Sequence, residues 1–150
     1  MEQLEFGTKQ LAFGFMRLPT LEGGAATGRT VDTDQVCKMV DAFLAAGFCY
    51  FDTAHGYVDN KCESLLRQCL VERHPRSSYI LTDKLTTDFF KEEADILPLF
   101  EKQLEETGVT YFDYYLMHAM TAKQYKKYSA CKAFALARQL KAEGKIRHIG

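Results

Sequence analysis

The chain has 150 residues, of which 47% are apolar, and its formal net charge is −1. This length allows one domain-sized core, and the near-neutral charge gives no electrostatic reason to expect binding to nucleic acid or to an acidic membrane surface. No apolar run is long enough to cross a bilayer. The N-terminus shows no signal peptide. The five cysteines lack CxxC and metal-type spacings, which predicts reduced thiols in a cytoplasmic protein.

Apolar and amphipathic segments alternate along the chain from residue 11 onward. Residues 11–16 predict the first strand. Residues 31–47 predict the first helix, because apolar side chains recur there with the period of a helix that lies on a core. Asp32 with Gln35 resembles a capping box at the start of this helix, and Gly47 suits the position after its last turn.

The same alternation continues to the end of the sequence. Residues 48–54 predict the second strand, and a second helix is predicted to open at Asn60 with Glu63 and to stop before Pro75. Pro98 lies either in the first turn of the third helix or at a kink within it. The remaining predicted elements are strands at 79–85, 111–119 and 146–150 and helices at 96–107 and 123–143, the last ended by Gly144.

Strands that alternate with helices predict an α/β fold with a parallel sheet and right-handed crossovers. Because the strands are apolar almost throughout, we expect both faces of the sheet to be covered. An open doubly wound sheet and a (β/α)8 barrel both fit this pattern, but no GxGxxG motif follows the first strand. The residues Leu4 to Leu11 suggest a short N-terminal hairpin, and Leu18 to Arg29 suggest a flexible loop.

Four polar side chains follow or end three of the predicted strands. Asp52 ends the second strand, Tyr57 lies in the loop beyond it, Lys84 ends the third strand, and His118 ends the fourth. Chemistry in βα architectures gathers at these carboxyl ends, so we expect the four side chains to converge. Each also has a structural reading: a turn-forming carboxylate, a packed loop aromatic, a solvated lysine or a core histidine.

Together the four residue types suit the reduction of a carbonyl group. A tyrosine is a reluctant acid near neutral pH, and a neighbouring ammonium stabilises the phenolate that remains after its proton leaves. A carboxylate such as Asp52 would keep a buried lysine charged. A histidine can orient a carbonyl oxygen by hydrogen bonding. A tyrosine in this setting can protonate an alkoxide as hydride reaches the carbonyl carbon.

The segments YFDTAHGY, ILTDKL and YYLMHA, together with GFGFMRLP and EGKIRHIG, resemble the aldo-keto reductases over nearly the whole chain. The resemblance implies a (β/α)8 barrel of which residues 1–150 form the N-terminal half, with about four βα units and a fifth strand. It implies NADPH-dependent interconversion of carbonyls and alcohols, with Tyr57 as general acid/base, Lys84 and Asp52 supporting it, and His118 orienting a small-molecule carbonyl substrate.

The resemblance also implies a cofactor contact just after the first strand. The residues implied to border the nicotinamide end of the cofactor are Asp52, Gly14, Phe15, Met16 and Arg17. The most similar branch comprises bacterial predicted oxidoreductases whose longer members carry a C-terminal ferredoxin-like domain with [4Fe–4S] clusters. No residue of the present chain is expected to hold a metal, because the cluster spacing is absent.

Two interpretations other than catalysis by this chain alone are open. Most cofactor contacts of the family lie in later strands, so residues 1–150 alone are expected to bind NADPH poorly and to be inactive. The chain is then either a non-catalytic half-barrel that pairs through its exposed sheet edges as a homodimer, or part of a redox enzyme that depends on downstream iron–sulfur clusters.

Overall fold

The computed structural model describes residues 10–24 and 28–150. Its strands are Ala12–Gly14 (β1), Tyr50–Asp52 (β2), Ile80–Leu85 (β3), Phe112–Met117 (β4) and Ile146–Ile149 (β5). Its α-helices are Thr33–Ala45 (α1), Cys62–Leu66 (α2), Ile96–Thr107 (α3), Ala122–Ala130 (α4) and Ala133–Ala142 (α5). Within these described residues, no helix combines the length and apolar character that crossing a bilayer requires. The predicted hairpin falls almost wholly outside the described residues.

The five strands form one parallel sheet in the order β1-β2-β3-β4-β5, as the alternation of elements predicted. The register of neighbouring strands places Gly14, Asp52 and Thr82 side by side across β1, β2 and β3. The carboxyl ends of the strands therefore meet at one rim. This register places the candidate side chains on neighbouring strands.

The expectation that both sheet faces are covered holds for the central strand only. Every residue of β3 is buried, whereas Ala12 and Gly14 of β1 and His148 of β5 are exposed. The helices pack against one face, where Phe51 is fully buried among aromatic rings. The opposite face is partly open in the described residues, because it has no layer of helices.

The first helix forms as the sequence predicts. Its stripe of apolar side chains includes Val36 and Val40, which are both fully buried. The Asp32 carboxylate accepts a hydrogen bond from the Gln35 backbone N–H at 3.0 Å and thereby caps α1. Gly47 has a φ of 82°, a left-handed conformation that glycine adopts without a steric penalty. Local capping chemistry thus sets both ends of this helix.

The second helix differs from its prediction at the N-terminus. Lys61, not Asn60, is the N-cap residue, and its side chain makes no capping hydrogen bond. Asn60 has a φ of 62° and follows Val58 and Asp59, which are also left-handed. This turn reverses the chain after Tyr57 before the helix can begin. The helix continues beyond α2 as a π-helical turn over Arg67–Val71.

The predicted long helix at 123–143 is wrong, because the chain forms two helices there. Lys132 breaks the run with a φ of 51° between α4 and α5. The break lets Tyr128 of α4 reach the ends of β3 and β4, while Leu140 of α5 is buried in a helix that packs on β5. Pro98 lies in the first turn of α3, which decides between the two positions that the sequence allowed.

Candidate active site

The sheet and one loop bring Asp52, Tyr57, Lys84 and His118 together. Asp52 ends β2, and Lys84 lies in the neighbouring strand β3, two residues beyond the register partner of Asp52. His118 directly follows β4, and its backbone N–H donates to the Leu85 carbonyl at 3.0 Å, which holds it beside the end of β3. The four side chains thus meet at one rim, as the sequence predicted.

The Lys84 ammonium makes three hydrogen bonds, one for each of its N–H groups. Its Nζ donates to Asp52 Oδ1 at 2.6 Å, to the Thr53 carbonyl at 2.8 Å and to Tyr57 Oη at 3.2 Å. The Lys84 side chain is only 10% exposed, and these three acceptors replace the water that its ammonium loses on burial. This arrangement fixes a positive charge against the phenol oxygen.

Tyr57 stands between the ammonium and the imidazole. Its Oη lies 3.4 Å from His118 Nε2, and the two rings meet edge to face with centroids 5.7 Å apart. Behind Tyr57, the chain turns through the left-handed residues Val58 and Asp59. Left-handed backbone is costly for a β-branched residue, so the turn that presents Tyr57 to Lys84 carries local strain.

His118 is held on its other nitrogen by a residue that the sequence analysis missed. Thr86 Oγ1 lies 2.8 Å from His118 Nδ1. Burial, followed by the charge of Lys84, lowers the pKa of His118 below its ordinary value. The imidazole is therefore neutral near pH 7, and one of its nitrogens carries a proton while the other can accept one.

Tyr128 is a second residue that the sequence analysis missed. The hydroxyl of Tyr128 lies 2.6 Å from the Leu85 carbonyl and 2.8 Å from the His118 carbonyl, so it can donate to either. Burial raises the pKa of Tyr128 to about 12, which keeps this hydroxyl protonated. Tyr128 thus ties the ends of β3 and β4 together beneath the site. Tyr128 lies within the segment predicted as one long helix, 123–143, and no motif there marked it as a support of the site.

The predicted cofactor residues at the end of β1 and directly after it are of two kinds. Gly14, Met16 and Arg17 are exposed, and no atom of the described residues lies within 4 Å of a Cβ built on Gly14. Phe15 is fully buried, its N–H donates to the Asp52 carbonyl at 2.9 Å, and its carbonyl accepts from the Cys62 thiol. Phe15 therefore supports the core and offers a ligand far less than its three neighbours do.

A buried polar network lies behind Lys84. The Glu63 carboxylate accepts hydrogen bonds from His55 Nδ1 at 2.6 Å and from the Gln103 amide at 3.1 Å. The same Gln103 amide reaches the Lys84 carbonyl at 3.1 Å, and the Tyr115 hydroxyl donates to Gln103 Oε1 at 2.5 Å. The network anchors the backbone of the central strand at the residue that bears the ammonium.

Two further carboxyl groups, those of Asp83 and Glu106, interact with Glu63, and the three groups differ in the direction of their pKa shifts. Burial, with the charge of Glu63, raises the pKa of Asp83 well above its ordinary value, and burial likewise raises the pKa of Glu106. Burial alone would raise the pKa of Glu63 too, but the hydrogen bond from His55 and the other bonds that Glu63 accepts lower it. Glu63 therefore carries the charge, and its neighbours keep their protons to higher pH.

The fold also brings together three side chains of metal-ligand type. Atoms of His55, Glu63 and Glu106 lie within 4.8 Å of one another. This grouping was invisible in the sequence, where no second ligand follows His55 at a suitable spacing. Since His55 Nδ1 already bonds to Glu63, we interpret the group as a buried hydrogen-bonded cluster that supports β3.

Comparisons with known proteins show a family likeness over most of the chain. The model of the Aldo/keto reductase family matches residues 10–150. An aldo-keto reductase of Mycobacterium sp. (strain KMS) is 34% identical over 113 residues, which are 75% of this chain and 39% of that protein. The chain thus spans about two fifths of the length of the curated relatives it matches.

Solved structures show the same fold. The holo form of an aldo-keto reductase from Bacillus halodurans has a TM-score of 0.69 and 26% identity, with 100% of this chain and 50% of that one covered. An aldo-keto reductase from Klebsiella pneumoniae, solved with NADPH, has a TM-score of 0.61 and 24% identity over 79% of this chain and 39% of that one. The five parallel strands correspond to about half of such a barrel. With a family model that covers nearly the whole sequence, the chain belongs to the aldo-keto reductase family.

Proposed function

We propose that the chain carries the proton-transfer site of an NADPH-dependent oxidoreductase that interconverts carbonyls and alcohols. One observation supports this most directly: the Lys84 ammonium is satisfied on all three N–H groups, and one of its acceptors is the phenol oxygen of Tyr57. The same phenol oxygen lies 3.4 Å from His118 Nε2, so Tyr57 stands between a cation that stabilises its phenolate and an imidazole that can bind a carbonyl oxygen.

The proposed chemistry assigns one task to each side chain. Reduction places a hydride on the carbonyl carbon and a proton on its oxygen, and Tyr57 supplies that proton. Lys84 stabilises the phenolate that remains, and Asp52 holds the ammonium in place at 2.6 Å. His118 donates from Nε2 to the carbonyl oxygen and orients it. General acid catalysis of this kind contributes about 10²–10⁴-fold in rate.

The residues at the end of β1 fit the nicotinamide end of a cofactor. Gly14 is exposed, and within the part of the chain that the structure describes nothing fills the space where its side chain would stand, so a flat ring can approach the backbone closely. Met16, which is 55% exposed, and Arg17 follow it on the surface. A bound nicotinamide would supply the hydride, while Asp52 and the side chains after β1 would border it.

The test replaces Tyr57 by Phe in the natural full-length protein. Consumption of NADPH with a panel of aldehydes is followed by absorbance, and cofactor binding is followed by nicotinamide fluorescence. We expect turnover to fall by about 10²-fold or more while cofactor affinity is retained. Tyr111→Phe is the matched control, because Tyr111 packs between Arg76 and Arg147, away from the site. Turnover within a few-fold of wild type in Tyr57→Phe would reject the proposal.

A non-catalytic role as a self-pairing half-barrel remains the second candidate. Within the described residues, β1 and β5 each pair with one strand only, and an unpaired strand edge invites pairing with another chain. Light scattering after size-exclusion chromatography measures the mass of the 150-residue chain. A dimer together with no saturable NADPH fluorescence would favour this candidate for the chain itself. A downstream [4Fe–4S] domain and a cytoplasmic location remain predictions.

A further inference from the structure

Thr86 occupies a position where its hydroxyl would ordinarily serve the backbone. It precedes the 3₁₀-helical turn Thr87–Phe89 as the N-cap residue, and threonine at such a position usually accepts a hydrogen bond from a backbone N–H of the turn. Here the side chain makes no capping bond. The hydroxyl lies instead 2.8 Å from His118 Nδ1. The Thr86 hydroxyl thus contacts the imidazole and does not cap the turn.

The two nitrogens of His118 have contacts of unequal length. The 2.8 Å contact at Nδ1 is that of a firm hydrogen bond. The 3.4 Å contact between Nε2 and Tyr57 Oη is longer than a strong hydrogen bond. Tyr57 Oη also accepts from the Lys84 ammonium. The bond at Nδ1 is therefore the stronger influence on which nitrogen of the neutral ring carries the proton.

The two tautomers would have opposite consequences for the chemistry. If Thr86 donates to Nδ1, the proton of the ring lies on Nε2, and the imidazole can donate to a carbonyl oxygen. If Nδ1 carries the proton and donates to Thr86, Nε2 becomes an acceptor and competes with substrate for the proton of Tyr57. Only the first arrangement supplies two donors, Tyr57 and His118, to the same oxygen.

We propose that Thr86 is a positioning residue that donates its hydroxyl proton to His118 Nδ1 and so selects the Nε2–H tautomer facing Tyr57. Thr86 acts through the imidazole and needs no contact with substrate. This inference rests on the proposed function for its consequence in turnover, but the tautomer itself is a property of the chain without substrate.

The test compares Thr86→Val and Thr86→Ser with the parent chain. Valine keeps the shape of threonine and removes the hydroxyl, whereas serine keeps the hydroxyl. The chain is labelled with ¹⁵N at histidine, and long-range ¹H–¹⁵N correlation spectra report which ring nitrogen carries the proton. His118→Gln assigns the signal among the four histidines. We expect the Nε2–H tautomer in the parent and in Thr86→Ser, and a shift toward Nδ1–H in Thr86→Val.

A second readout uses turnover in the full-length protein. Thr86→Val should lower kcat by up to about 10²-fold, the lower end of what the loss of one donor to the oxygen costs, and Thr86→Ser should recover most of it. An Nδ1–H tautomer in the parent, or an unchanged tautomer in Thr86→Val, would overturn the inference. Full turnover in Tyr57→Phe together with a tautomer that follows Thr86 would instead reject the proposed function and leave the inference intact.

Discussion

The pair formed by Asp52 and Lys84 should show strong energetic coupling. The two side chains are 28% and 10% exposed and meet at 2.6 Å. Lys84→Met leaves the Asp52 carboxylate and the Thr53 carbonyl without their shared donor. Removing one partner of a buried pair costs about 3–5 kcal/mol, and the partial exposure of Asp52 reduces this to about 2–4 kcal/mol. Asp52→Asn strands the more deeply buried ammonium and should cost a similar amount.

The double variant Asp52→Asn/Lys84→Met leaves neither charge stranded. We therefore expect its loss of stability to be smaller than the sum of the single losses by about 1–3 kcal/mol. Urea unfolding of all four proteins at pH 7, with linear extrapolation, gives the free energies of unfolding. The control is the same cycle on Glu93 and Lys132, which meet at 2.7 Å but are both more than half exposed. Its coupling should be too small to resolve.

Additive losses for Asp52 and Lys84 would refute this reasoning. They would mean that water reaches the ammonium well enough to replace the carboxylate, and that burial of Lys84 does not depend on its partner. The assignment of Lys84 as a fixed positive charge beside Tyr57 would then lose its physical basis.

Two further predictions concern the core and the imidazole. Phe51→Ala should lower the free energy of unfolding by about 3–5 kcal/mol in urea titrations, because Phe51 is fully buried among aromatic rings. Leu97→Ala on the exposed side of α3 is the control. Equal losses of stability in the two variants would contradict the packing of Phe51. His118 has a lowered pKa in the fold, so it binds its proton more readily when unfolded, and its contribution is lost as pH falls below about 6.5. Wild type should therefore lose more stability than His118→Gln between about pH 7.5 and pH 5, and a difference that stays constant over this range would disprove the assignment.

The order and type of the strands could be predicted because each depends on a local pattern. Apolar runs alternate with helical stripes, and capping residues such as Asp32 and Gly47 mark ends through local hydrogen bonds and backbone conformation. The break at Lys132 could not be predicted in this way, since a lysine carries no signal for a left-handed conformation. The prediction that the second helix opens at Asn60 was wrong for a related reason. Asparagine suits both an N-cap and a left-handed turn, and the path of the chain after Tyr57 decides between them.

The candidate site could be predicted in its members but not in its supports. Asp52 and His118 follow apolar runs that any parallel sheet would align at one rim. Glu63, by contrast, reaches His55 through the packing of α2 beneath the loop, and no spacing in the sequence reports that contact at 2.6 Å. Supports of this kind depend on how helices lie against the sheet, which only three-dimensional packing decides.

The alternation of β3 explains why the site forms where it does. Successive side chains of a strand point to opposite faces, so Thr82, Lys84 and the following Thr86 lie on the same side. Thr82 is the register partner of Asp52, and a lysine two residues further along can reach back to that carboxylate, as the 2.6 Å contact shows. Two residues beyond Lys84, Thr86 meets His118 at the end of β4. One period-two row on the central strand thus connects the carboxylate on one side with the imidazole on the other, and a shift of β3 by a single residue would turn the whole row toward the helices and leave Tyr57 without its cation.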